Sequence, residues 1–148
     1  MANHNPILVI GMDEEDFDIL AEVCKNINIT NKLIRLVDGF QGLDYLRTHK
    51  EKPFIIITDV YIPGMSGLAF RKKIEEDPDL RSKSVPFIFI SESLLPKQVT
   101  EVYSMSVQGL FDKATSISDL EKMMRVVYDY WQLCRHPDQT EESMIRRL

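Results

Sequence analysis

The chain has little of what holds small or extracellular folds together. Its only two cysteines among 148 residues, Cys24 and Cys134, lie far apart and match no metal-ligand spacing. A disulfide framework and a thiolate metal centre are therefore excluded, and free thiols in a reducing compartment are expected, Cys24 as a small core residue on a helix. Basic residues are outnumbered, 18 against 23 acids for a net charge of −5, which disfavours nonspecific binding to nucleic-acid phosphates. Arg146 and Arg147 read as a solvated tail. No apolar run approaches the roughly 20 residues that cross a bilayer, and MANHNP has neither the basic nor the apolar part of a signal segment. The expectation is a soluble cytoplasmic protein with no membrane or nucleic-acid partner. Repeats, low-complexity tracts and long linkers are also missing. One domain follows, large enough to bury roughly 70% of the surface its unfolded form exposes.

What is present is an alternation of strand-like runs with helix-period segments, five times over, which predicts a doubly wound α/β architecture with helices on both faces of a parallel sheet. The strands are expected at Ile7–Ile10, Leu33–Val37, Phe54–Thr58, Pro86–Ile90 and Gly109–Asp112. The first helix carries Phe17, Leu20, Cys24 and Ile27 on one face, and the second, after the turn signal Asp38-Gly39, carries Phe40, Leu43 and Leu46. The third spans about Leu68 to Ile74 and is ended by Asp77-Pro78, and Pro96 opens the fourth. The fifth is announced by SDLE, Ser118 to Glu121, as a capping box, with a stripe of Leu120, Met123, Met124, Val127, Tyr130 and Trp131.

The densest signal is Ile55 to Gly67, IIITDVYIPGMSG, where a run suited to burial on both faces ends on Asp59, with Pro63 and Gly67 four and eight residues later. Open α/β sheets place their chemistry at such carboxyl edges. Ser91 closes VPFIFIS and Lys113 closes GLFDK at matching strand ends. With the opening strand Ile7–Ile10, these positions resemble the receiver domain of response regulators in two-component signalling. The resemblance covers residues 5–133, leaving 134–148 as a polar tail or helix extension. It implies a flavodoxin-like five-stranded sheet in the order 2-1-3-4-5. It further implies Asp59 as phosphoacceptor, Ser91 as the hydroxyl on a phosphoryl oxygen, Lys113 as its countercharge, and magnesium held in part by Asp59 and the Tyr61 backbone carbonyl. Within receivers, NITNKLIRLVDGFQGLDYL, EEDPDLRSKSVPFIFIS and the late Tyr-Asp-Tyr-Trp resemble small stand-alone regulators that partner bacterial phytochromes and related histidine kinases.

The departures from that pattern matter as much. Where the resemblance calls for two adjacent carboxylates after the first strand, the chain reads Gly11-Met12, and neither a hydrogen nor a thioether suits a hard cation. Asp13 is the substitute ligand if the register shifts by a residue or two; otherwise it caps the first helix, with Glu14, Glu15 and Asp16 complementing the helix dipole. Lys113, no longer shared, is expected to pair with Asp59, and Gly11→Asp with Met12→Asp is expected to return metal binding. The position of the family's switch aromatic is Leu110, with Phe111 on the opposite face, and Ala114 stands where proline follows the lysine.

Three function classes follow. The first is a phosphorylation-independent module that binds a histidine kinase or other signalling protein, and associates with a second copy through the face of the fourth helix, fifth strand and fifth helix, where Val99, Val102, Tyr103, Tyr128 and Trp131 lie. The second is a conventional phosphoacceptor, not an enzyme beyond autocatalytic transfer to Asp59. The third is a small-molecule or flavin binder on the same fold.

Overall fold

The computed structural model describes residues 3–136 other than Pro63 and Val85. Five parallel strands, β1 (Ile7–Ile10), β2 (Leu33–Leu36), β3 (Ile55–Asp59), β4 (Phe87–Ser91) and β5 (Gly109–Asp112), form one sheet in the order β2-β1-β3-β4-β5. Register pairs Ile10 with Thr58, and Asp59 with Ile90, so the three central strands end side by side.

Alternation splits each central strand between two cores. Leu8, Ile10, Ile56, Phe87 and Phe89 pack against α2 (Gly39–Thr48), α3 (Gly67–Glu75), α4 (Pro78–Lys83) and α5 (Pro96–Tyr103). On the other face Ile7, Val9, Ile55, Ile57, Ile88 and Ile90 pack against α1 (Glu14–Asn26) and α6 (Ile117–Leu133). Burial of both faces is why these strands read as unbroken apolar runs.

Several local expectations are corrected. Strand two stops at Leu36. Asp77-Pro78 ends one helix and starts another, because the Asp77 carboxylate accepts from Asp79 and Leu80 N–H while proline suits the first helical position. Ser116, not Ser118, caps α6 by accepting from Asp119 N–H at 3.1 Å. Phe40 is 61% exposed rather than core, since α2 turns Gly39, Gly42, Leu43 and Leu46 inward. The segment from 134 does not begin as free tail. His136 is buried, its ring 5.5 Å from that of Phe54 and its nitrogens bonded to Lys52 Nζ (2.9 Å) and Trp131 O (3.1 Å). Satisfied ring nitrogens let an imidazole seal the amino edge of the sheet. The turn expected at Pro63 and the tail with Arg146 and Arg147 lie outside the described residues.

One close approach positions the site. A side chain at Gly67 would place its Cβ 2.2 Å from the Asp59 carbonyl oxygen and 2.8 Å from Phe89 Cε1. Glycine alone lets α3 start against the end of β3, where Gly67 N–H donates to Val60 O.

Candidate functional site

Asp59 sits half-buried at the carboxyl end of β3, its Oδ1 accepting from Tyr61 N–H at 3.1 Å. Burial raises its pKa from the ordinary value; the Tyr61 N–H and the charge of Lys113 pull the other way without cancelling it. Beneath it, Thr58 Oγ1 donates to Ile10 O at 3.2 Å, tying β3 to β1 below the site. Ser91 ends β4 nearly fully buried, and its carbonyl accepts from Lys113 N–H at 2.8 Å. Asp59, Ser91 and Lys113 thus share one sheet edge.

Their charges are not arranged as expected. Lys113 Nζ pairs with Asp16 Oδ2 at 3.0 Å rather than with Asp59, and that bond raises the lysine pKa. Both partners of the pair are part-solvated, so it forms without stripping the ammonium of water, whereas the half-buried Asp59 would demand that cost. Among the described residues Asp59 takes part in no ion pair.

The magnesium half of the site does not fit its ion. Gly11 has φ +84°, a backbone state that L side chains rarely adopt, and a Cβ built there would lie 1.9 Å from Ile62 Cγ2. Ile62 is buried in the core cluster of α2 and α3. A branched apolar side chain therefore fills the space where the resemblance calls for a carboxylate. Met12 packs toward α1 and α6, and its carbonyl is taken by Arg35 Nε at 2.9 Å. The register shift that would recruit Asp13 does not occur: Gly11 N–H continues the β1–β2 ladder to Leu36 O, and Asp13 Oδ1 caps α1 through Asp16 N–H at 2.8 Å. Hard oxygen ligands reduce to Asp59 and the carbonyl position at Tyr61, without the pair of carboxylates that the resemblance calls for after β1. No group of three or more acidic, histidine or cysteine side chains able to hold a metal occurs among the described residues. The same geometry changes the expectation for Gly11→Asp with Met12→Asp: a carboxylate at position 11 would meet Ile62, so restored binding is expected only with Ile62 cut back.

The Ile62 plug was not legible from sequence; an isoleucine three residues after the acid gives no signal of pointing at Gly11. A second unanticipated contact is Gln98 Nε2 donating to the Tyr61 phenol oxygen at 2.7 Å, which ties the loop after Asp59 to the first turn of α5. Leu110 and Phe111 do face opposite cores, as alternation predicted. Ala114 lines the cavity beside Asp59.

Comparison with known proteins agrees with this frame. The pattern of the response regulator receiver domain matches residues 7–125. Response regulator Rcp1 of Synechocystis is 27% identical over 130 residues, covering 84% of this chain and 87% of that protein. The response regulator RPA3017 in red light signaling of R. palustris superposes with a TM-score of 0.80 at 25% identity, covering 91% of this chain and 99% of that one. The phosphorylated cyanobacterial phytochrome response regulator RcpA shares the fold at TM-score 0.80 and 20% identity, over 92% of this chain and all of that one. No described helix is long and apolar enough to cross a membrane. A doubly wound sheet in the order 2-1-3-4-5 with an acid, a hydroxyl and a lysine at successive strand ends, matched over this length, makes the chain a member of the response regulator receiver domain family of two-component signalling.

Proposed function

We propose that this receiver signals by protein association, as a stand-alone regulator in the cytoplasm, with magnesium-dependent phosphorylation of Asp59 contributing little to partner affinity. The observation that carries this reading is Ile62 in the space beside Gly11. Phosphoryl transfer to a carboxylate depends on neutralising a highly charged group, and at this sheet edge the nearby cation is Lys113, already engaged by Asp16. A ligand shifts a two-state protein only by its differential affinity for the two states, so a poorly neutralised phosphoryl group shifts little.

The partner is a sensor histidine kinase, of a red-light-sensing class by the likeness to RPA3017, a response regulator in red light signaling. A second copy is a further partner, through the edge of α5, β5 and α6. Of the five residues expected there, Val102 is buried and Tyr128 stacks edge-on against Phe54, while Tyr103 is exposed. Val126, Tyr130 and Leu133 join Tyr103 as exposed apolar side chains on that edge. The Tyr61–Gln98 bond would connect the edge to the loop after Asp59 in place of the missing aromatic at Leu110.

The competing reading is a conventional phosphoacceptor, with Asp59 as nucleophile, Ser91 on a phosphoryl oxygen, Lys113 as countercharge and the Tyr61 carbonyl on the metal. It is favoured by those side chains sharing one edge. Titrating the co-purified native partner against wild type, Asp59→Asn and Tyr130→Asp separates the two. Association predicts that Asp59→Asn changes affinity by less than about tenfold, roughly 1.4 kcal/mol, and that Tyr130→Asp changes it more. Transfer of labelled phosphate from a kinase to wild type but not to Asp59→Asn, with partner binding lost in that variant, would establish the conventional reading instead.

A further inference from the structure

Beside Asp59 the sheet edge opens into a chamber whose apolar part neither reading uses. A cavity of about 430 Å³ runs from the carboxylate down between α1 and α6. Helix α1 contributes Ile19 and Leu20, α6 contributes Leu120 and Met123, and the strands close the floor with Ile57 and Ile90. The volume falls in the range of small-molecule sites, and the apolar walls with a few polar groups at one end are the usual make-up of such sites.

The rim is polar and unbalanced in charge. Asp13, Asp16 and Asp59 line it against Lys113, and the lysine is already bonded to Asp16. Asp59 is left half-buried, held by the backbone N–H groups of Tyr61 and Val60 and by no ion pair among the described residues. A half-desolvated carboxylate is stabilised by an opposite charge, and the lysine at this rim is turned to Asp16 instead. A small metal ion brings tightly held water and finds too few oxygens here. The charged end of an organic amine meets the same desolvation cost as the lysine ammonium, but its apolar part gains the floor, which offsets that cost.

We propose that the cavity between α1 and α6 binds a small amphipathic organic cation, an amine or amidine whose charged end pairs with Asp59 and whose apolar end lies between Ile19, Leu120 and Met123. The acidic rim selects against anions, and a neutral molecule of the same shape gains the floor without the ion pair. An occupant bridges α1 and α6 and so biases the spacing of helices whose outer faces are available to partners. The proposal rests on the reading that Asp59 is not held by a metal ion.

The test is a set of nuclear magnetic resonance titrations with 2-phenylethylamine, the neutral 2-phenylethanol and the anion 3-phenylpropionate. Saturable shifts with the amine are expected at amides of Gly11, Ala114 and Leu120, with a Kd lower than that of the alcohol by about tenfold and little response to the anion. Asp59→Asn, at a solvent-accessible edge where folding is not at risk, should bring the amine to the alcohol's affinity. Met123→Trp, which fills the floor, should weaken both. Equal affinity of amine and alcohol in wild type, unchanged amine affinity in Asp59→Asn, or no saturable shift with any probe would each overturn the site. Acetyl phosphate labelling of Asp59 with magnesium, run in parallel, would overturn the association reading instead and is read separately from the titrations.

Discussion

Replacing Gly11 with alanine adds one methyl group and should be among the most damaging single changes in the protein. Two independent costs meet there. The backbone at φ +84° penalises any L side chain by about 1–2 kcal/mol. The new Cβ would sit 1.9 Å from Ile62 Cγ2, and overpacking a filled core costs about 1–3 kcal/mol more. The sum is roughly 2–5 kcal/mol. With a urea slope near 2 kcal/mol/M, a loss of about 3 kcal/mol lowers the unfolding midpoint by about 1.5 M. The two costs separate in a double-mutant cycle. In an Ile62→Ala background the clash with Cγ2 is removed, leaving a tight 3.1 Å approach to the remaining Cβ, and the backbone part stays, giving a coupling energy of about 1–3 kcal/mol between the two positions. A Gly11→Ala protein within about 0.5 kcal/mol of wild type, or an additive cycle, would refute the claim that Ile62 occupies the space beside Gly11.

Other outcomes follow from the same structure. Arg71 is buried with its guanidinium donating to the Met105, Ser84 and Ser106 carbonyls and lying 4.9 Å from the Phe87 ring centre, so Arg71→Lys, which loses the planar fork, should cost about 2 kcal/mol or more in urea unfolding. Burial pushes the Cys24 thiol up to about 11, so a thiol reagent at pH 8 should label Cys134 in the native protein and reach Cys24 only after unfolding. Asp59 has its folded pKa raised above the unfolded value, so its contribution favours folding at low pH and is lost as pH rises through the folded pKa; Asp59→Asn should be more stable than wild type at pH 7, with the gap closing on acidification. Tyr61→Phe removes the partly exposed bond to Gln98, and should change stability by less than about 1 kcal/mol while speeding amide exchange at Gln98 and Val99 in the first turn of α5.

Strand order, layer arrangement and the co-location of Asp59, Ser91 and Lys113 were legible because strands buried on both faces announce themselves as apolar runs and chemistry collects where they end. Asp13 as a cap was legible too, since a carboxylate before an acidic first turn has a local role independent of tertiary structure. What the sequence could not convey were choices made across space. Lys113 selects Asp16 over Asp59 because of relative desolvation, which depends on where α1 lies. Ile62 reaches Gly11 through a loop conformation that spacing does not encode. The short helix α4 was hidden because Asp77-Pro78 is equally good as a stop and as a start. His136 looked like tail because its burial depends on Phe54 and Lys52, more than eighty residues earlier.

The central claim is that the metal half of this receiver site is closed by packing. The most direct measurement is a magnesium titration of the wild-type protein followed at the amides of Gly11, Asp59 and Tyr61, repeated on Gly11→Asp with Met12→Asp. The account predicts no saturable shift at millimolar metal in wild type, and none in the double variant until Ile62 is also cut back to alanine. Saturation of wild type below millimolar magnesium, or recovery of binding by the two acids with Ile62 intact, would contradict it.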